Sequence, residues 1–524
     1  MKKTLLVLFS ALLCTIANAQ FKPIAEGPVF KEPEEGEAKI LQLKSGGTMF
    51  FRVTEKDGID LRIYDTQHHE TVATNFKPTY IKVKKAQVNA IFEINGNAIL
   101  MMSEVDSKIP TLYRLILNGK TGTIVSEENI EELNKRKFGD GIATTFGGIA
   151  TPSFFIKKDP YSDNYAVVRF NSLESDRSKR IEIISYDGNN KETNRAFYTS
   201  PEGKYKYIAY RDMVILGDKK VCVFAYGYNK SNDSESELLM ANLDKGSSEI
   251  DFTKLNFPDT LDPFYCTAKF NPSINSVLLL SIAEEKKKKN DGYIPILTFI
   301  NPYEKKINRS DIISPSKRID QYSKKGFRGL PQNLYINDDG TFTVVSEESS
   351  VVWGGKYGTA PISRLGDIAI VNYSKTGEPM NDYLIRKSQT LNNVYLGLLY
   401  LASKEGTTQS LQKGTQFKSF AYLDGKAKSY ILFNDTERNS EKLEKGSLVD
   451  VQGVSNCDGF YYPLTGPNAI LKREYVFGNP EKKRDHELGL FSISQYDRQN
   501  NIYVTLQLSK ESGKKGVKLI WLQP

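Results

Sequence analysis

Ile91-Phe92-Glu93-Ile94-Asn95-Gly96-Asn97-Ala98-Ile99-Leu100-Met101-Met102 is the stretch from which the fold is read. Two apolar runs, Ile91 to Ile94 and Ala98 to Met102, flank Asn95-Gly96. That pair suits the two positive φ angles of a type I′ turn, so the segment predicts a β-hairpin. A third run, Leu112 to Leu117, ends at a second turn signal, Asn118-Gly119. The unit is strand, tight turn, strand, longer polar loop, strand and turn. Upstream, Met49 to Val53 follows Lys44-Ser45-Gly46-Gly47. Ile59, Leu61 and Ile63 then alternate with Asp60, Arg62 and Tyr64, the period of two that gives a strand one buried face.

Working outward, six more copies carry other turn chemistry at the same place: Asp159 to Asn164, Gly217-Asp218, Pro272 to Asn275, Asn337 to Gly340, Asp424-Gly425 and Arg498 to Asn501. The eight turns, from Gly46 to Gln499, are separated by seven intervals averaging about 65 residues, the longest near Leu384 to Gln416. Radial repetition lets each sheet pack on its neighbours and leaves only short edges. The expectation is an all-β chain, a single large β-propeller of seven or eight three- to four-stranded blades with loop insertions. The alternatives are two smaller propellers or a β-sandwich array. Closure is expected from Phe21 to Phe30 adding an outer strand beside Val517 to Leu522.

Helix is expected to be scarce, its best candidate being Glu127 to Lys137, where Ile130 and Leu133 share one side among charges. Asn301 to Leu330 and Thr376 to Thr415 read as long irregular insertions, the kind of loop on which repeat scaffolds carry binding surfaces. Tyr and Phe are abundant and Trp scarce, 29, 27 and 2 respectively, which also favours sheet.

At the N-terminus, Lys2 and Lys3 precede an apolar run from Leu5 to Ile16, and Ala17-Asn18-Ala19 supplies small residues before Gln20. Residues 1–19 are read as an export signal and 20–524 as the propeller domain. The run is too short for a transmembrane helix, and Cys14, between Leu13 and Thr15, does not sit in a lipidation context. No later stretch predicts a transmembrane segment; the longest apolar one is Val394 to Ala402. The expected location is exported: periplasmic, outer-membrane associated or secreted.

Charge is mixed. The formal +8 falls to +6 without Lys2 and Lys3, and acidic and basic residues are spread along the chain. Lys286 to Lys289 reads as an exposed hairpin tip, so nucleic acid is not expected as a partner. Without Cys14 three cysteines remain, too few for a disulfide framework; Cys222, within Val221 to Tyr226, reads as a buried hydrophobe.

Local catalytic and cofactor motifs are absent. There is no Gly-x-Ser-x-Gly elbow, no phosphate loop, no His-Glu-x-x-His and no complete calcium loop, so no metal and no cofactor is expected. His68 and His69 are adjacent and would face opposite sides of a strand, and Asn229 to Glu237 reads as a solvated tip rather than a calcium loop. A carboxylate pair contributed by different blades would leave no sequence signature, so no catalytic residue is named.

The ligand-binding candidates are Trp353, Lys356 and Tyr357 in Trp353-Gly354-Gly355-Lys356-Tyr357-Gly358, followed by Tyr461 and Tyr462 and the glycine-rich stretch Phe138 to Gly148. The competing reading of Trp353, packing between blades, is favoured at this stage.

With its eight units and its Ala-Asn-Ala-Gln cleavage region, the chain resembles divergent β-propellers exported by Gram-negative bacteria, with a signal of the Bacteroidota type. It lacks the Trp-Asp, Tyr-Trp-Thr-Asp and Asp-box signatures of named repeat families. The resemblance covers nearly the whole mature chain and implies architecture alone. The functional expectation is a non-catalytic binding or scaffold protein that engages an envelope protein or glycan through propeller-rim loops. The alternative is a propeller-type carbohydrate hydrolase or lyase. A structural subunit of an outer-membrane assembly is a third reading.

Overall fold

The computed structural model describes residues 21–82, 86–137, 139–146, 149–198, 205–229, 236–255, 257, 261–285, 292–313, 319, 326–354, 358–397, 407–412, 415–466, 471–480, 485–509 and 516–524. They form eight antiparallel sheets, five of four strands and three with a fifth strand added to a four-stranded path, arranged as a β-propeller. The innermost strands of blades 1 to 8 are Glu35–Gln42, Ala86–Ile94, Ser153–Lys158, Tyr207–Leu216, Leu261–Asn271, Leu330–Ile336, Ala421–Asp424 and Gly489–Asp497. Each of the eight turns read from the sequence joins one of these to the second strand of its blade. Asn95 and Gly96 have φ of 50° and 75°, the positive pair of a type I′ turn.

The ring closes as the termini predict. Blade 8 takes its outer strand from Lys22–Glu26, which pairs antiparallel with Gly516–Gln523, and Phe30–Lys31 adds two further residues to the same strand. Trp521 sits fully buried at the joint between blades 8 and 1. Its ring meets Tyr64 with centroids 5.0 Å apart, and its indole N–H donates to the Thr48 hydroxyl at 3.1 Å.

His68, held at φ 67°, stacks on the same indole with centroids 4.8 Å apart and planes inclined at 21°. Burial holds the His68 pKa below its ordinary value; His69 adds to the depression and Asp65 opposes it. The folded state therefore favours the neutral ring, and a pH falling through about 6.5 protonates the unfolded chain first. Stability should drop between pH 7.5 and pH 5.5, and His68→Gln should make that drop shallower. Urea midpoints at the two pH values check this, and equal slopes in both proteins would remove His68 from the pH response.

The core is not central. Eight apolar clusters lie one between each neighbouring pair of blades, as when Leu41 and Met49 of blade 1 meet Ile91 and Ala98 of blade 2. Each sheet thus has two apolar faces, which explains why second strands such as Lys220–Tyr228 are buried at every residue. Cys222 and Cys266 belong to the cluster between blades 4 and 5, and burial pushes the Cys222 thiol up to about 12. Cys222, Cys266 and Cys457 are all buried and outside any disulfide.

Three sequence expectations are corrected. The segment expected as helix, Glu127 to Lys137, instead supplies most of the outer strand of blade 2, Ile124–Glu132, with Ile130 and Leu133 turned into the cluster between blades 2 and 3. An edge strand is protected by charge on its exposed side, and that pattern mimics a solvated helix. Helices occur instead at Asp140–Phe146, inside the glycine-rich stretch, and at Arg438–Glu444. The two stretches expected to be irregular contain strands Lys306–Ile312, Pro379–Ile385, Gln389–Asn392 and Gln409–Gln412. The tip at Lys286 to Lys289 and residues 230–235 of the Asn229 to Glu237 tip lie outside the described residues, although strands Ser276–Glu285 and Ile294–Asn301 pair as the first tip requires.

Candidate binding face and central channel

In a four-stranded meander, the first and third turns fall on one face of the ring and the second turn and interblade connection on the other. The eight first turns are short, from the two residues Asn95-Gly96 to the six of Asp159–Asn164. The connections at 133–152, 313–329, 386–420 and 436–457 start and end on the opposite face and are far longer. Insertions confined to one face of a repeat scaffold mark the side that has room to meet a partner.

On the short-turn face, polar side chains bind each blade to the next. The Lys44 backbone N–H donates to Glu93 Oε2 at 2.8 Å, Gly217 N–H to Asp159 Oδ2 at 3.0 Å, and Gln42 N–H to Gln495 Oε1 at 2.8 Å. Asn271 Nδ2 donates to the Gly340 carbonyl at 2.8 Å. Gly340 has φ 85°, and a Cβ there would lie 2.5 Å from Ser273 Cβ, so glycine allows the turns of blades 5 and 6 to touch.

Inner strands of blades 1, 2, 6, 7 and 8, with Lys158 to Pro160 of blade 3, line a channel cavity of about 470 Å³. Glu93 and Asp159 line it, both buried and both already accepting the interblade N–H bonds just described. Asp159 also accepts from Tyr161 N–H at 3.1 Å and the Ser162 hydroxyl at 2.6 Å. Burial holds the Glu93 carboxyl above the usual carboxylate range. Deeper among blades 3, 4 and 5, Asp212 accepts from Lys157 Nζ at 3.3 Å, Ala268 N–H at 2.8 Å and Thr267 at 3.2 Å. These carboxylates hold blades together.

Towards the elaborated face the channel is lined by Thr407 and Gln409 of the insertion between blades 6 and 7. Strand Gln409–Gln412 of that insertion pairs with the inner edge of blade 1, and Lys39 Nζ donates to the Thr407 carbonyl at 3.1 Å. The described residues contain no cluster of three or more His, Cys, Asp or Glu side chains placed to hold a metal. None of their helices is long and apolar enough to cross a membrane.

The most prominent feature of the elaborated face is on blade 6. Its second and third strands, Phe342–Gly354 and Ala360–Tyr373, run beyond the blade after a bulge between Glu347 and Ser349. Strand Gln389–Asn392 joins this extension by pairing with Ile362 to Leu365. Leu365, Leu391 and Val394, with Leu396 against them, give it a small core of its own. The Ser363 hydroxyl donates to the Val394 carbonyl at 2.7 Å and accepts Leu396 N–H at 3.0 Å. Those two bonds bracket Tyr395 and hold it outward, against Trp353, with ring centroids 6.3 Å apart and planes inclined at 28°. Trp353 is 60% exposed and Tyr395 63% exposed.

Trp353 therefore does not pack between blades, contrary to the sequence expectation: the bulge carries its strand past the neighbouring sheet. Lys356 and Tyr357 lie outside the described residues. Tyr461 and Tyr462, the other sequence candidates, are buried. Tyr461 packs on Phe21 at 4.6 Å, with its hydroxyl donating to Glu474 at 2.5 Å, and Tyr462 stacks on Phe433 at 5.7 Å. Adjacent residues in a strand face opposite sides, so one tyrosine enters the blade 7–8 cluster and the other the blade 6–7 cluster. Tyr395 escapes a sequence reading. Its one signal is Val394-Tyr395-Leu396, an alternation whose outward member is aromatic.

No family model matches the chain, and no curated protein matches it. Among solved structures it is similar to the WD40 domain of SCAP from fission yeast, at 8% identity over 98% of this chain and 97% of that one, TM-score 0.41. It is also similar to the polysaccharide lyase Uly1, at 9% identity over 86% and 93%, TM-score 0.40. An uncharacterized protein of Listeria monocytogenes EGD-e, lmo1340, is similar at 11% identity over 82% and 98%, TM-score 0.34. The chain is a divergent β-propeller. These likenesses extend to the fold and no further.

Proposed function

We propose that the protein is a non-catalytic binding or scaffold protein, exported to an envelope of the Bacteroidota type, that engages an envelope protein or glycan through its elaborated face. The observation that carries this reading is the asymmetry of the ring. Short turns close one face, while insertions, extra strands and an outward aromatic pair build up the other. The channel supports it too, because Glu93 and Asp159 are engaged in holding neighbouring blades. A glycoside hydrolase of the usual kind would need a carboxylate pair facing substrate.

Capture from solubilised envelope extract tests the reading. The tagged full chain should retain a stoichiometric partner, protein or glycan, that a tag-only control does not. Shortening the blade 6 extension to remove residues 350–363 should reduce retention at least about tenfold if binding energy is concentrated in a few residues there. Substitutions confined to the exposed turn of blade 8, such as Gln499→Ala, should leave it unchanged. No enrichment across several detergents, together with turnover of a polysaccharide, would overturn the reading.

A further inference from the structure

Resting on that reading, we infer that Trp353 and Tyr395 form a stacking platform for the pyranose rings of a glycan, with Tyr293 at its border. Three observations converge on this platform. The two rings are more than half exposed yet nearly parallel, and the Ser363 hydroxyl fixes the backbone on both sides of Tyr395. The extension that carries them has its own apolar core, so the rings are presented by a supported sheet. Tyr293, just before the third strand of blade 5, is exposed and near enough to Glu284 and Tyr395 for both to influence its hydroxyl.

The chemistry of that surface selects the ligand class. A sugar ring presents a flat C–H face to an aromatic ring and hydroxyls around its rim. Phenol groups and a carboxylate beside the platform are suited to bond those hydroxyls.

Fluorescence provides the test, because the chain has two tryptophans and only Trp353 is exposed, Trp521 being fully buried. The full chain is titrated with cellohexaose, chitohexaose, laminarihexaose and xylohexaose. At least one should give a saturable blue shift and protect the exposed emission from acrylamide. Tyr395→Ala should weaken that binding about tenfold and Tyr395→Phe much less, with Trp353→Ala followed by calorimetry. Absence of a saturable shift with all four sugars would overturn the inference, as would wild-type affinity in both Tyr395→Ala and Trp353→Ala. Unchanged thermal unfolding of these variants would show that the fold is intact. Envelope capture separates the two levels. A protein partner retained equally by wild type and Trp353→Ala would leave the binding reading standing and, with no sugar bound, remove the glycan platform. A protein partner lost in Trp353→Ala would assign the platform to protein docking and also overturn the glycan inference.

Discussion

Trp521→Ala should destabilise the protein by about 3–5 kcal/mol, seen as a large fall in the urea midpoint followed by circular dichroism. The side chain is fully buried where the ring closes, packed on Tyr64 and His68, so its removal leaves a cavity that strands on both sides are held too firmly to fill. The Thr48 hydroxyl also loses the indole N–H at 3.1 Å. Trp521→Phe keeps an aromatic ring but not the donor, and should cost less, about 1–2 kcal/mol. A loss under about 1 kcal/mol in Trp521→Ala would mean that closure does not depend on this joint. Because every blade is packed between two others, opening at one joint exposes two apolar faces at once, and the rest of the ring should unfold in the same transition.

Glu347→Ala should have a comparable effect, about 3–5 kcal/mol, for an electrostatic reason. Lys387 Nζ lies 2.6 Å from Glu347 Oε1, and both side chains are 0% exposed. Removing the carboxylate leaves an ammonium in an apolar setting, about 6 Å from the rings of Phe420 and Phe433. Replacing both partners, as in Glu347→Leu with Lys387→Met, should recover most of the loss, since buried pairs roughly break even against well-packed apolar side chains. The double variant being no better than Glu347→Ala would count against this account. The pair stands at the base of the blade 6 extension, and the Lys387 N–H also donates to Asp367 Oδ1 at 3.0 Å. Glu347→Ala should therefore also loosen the segment that holds Tyr395, read as faster amide exchange over 388–396.

The eight hairpins were legible because turn chemistry is local: Asn95-Gly96 and its counterparts state their backbone angles in their own residues. Closure was legible from a candidate strand at each end of the folded chain. The outer strand of blade 2 was not, since an edge strand such as Ile124–Glu132 carries the charges that also suit a helix. Tyr461 and Tyr462 read as binding candidates because composition shows aromatic character but not depth, and both proved to be core. Trp353 was singled out in the sequence; its exposure and its partner Tyr395, 42 positions further on, were not.

By itself, the sequence determined an all-β repeat, its eight tight turns, the alternation that makes each strand sided, and the pairing that closes the ring. All of these depend on backbone preference and residue period over a few positions. Only the tertiary structure decided which carboxylates are occupied in joining blades, which aromatics are buried, and that Trp353 and Tyr395 meet. Burial and side-chain contact are properties of where separate strands come to lie. Between blades, that depends on packing summed over dozens of residues and on single bulges, such as the one after Glu347, that redirect a strand.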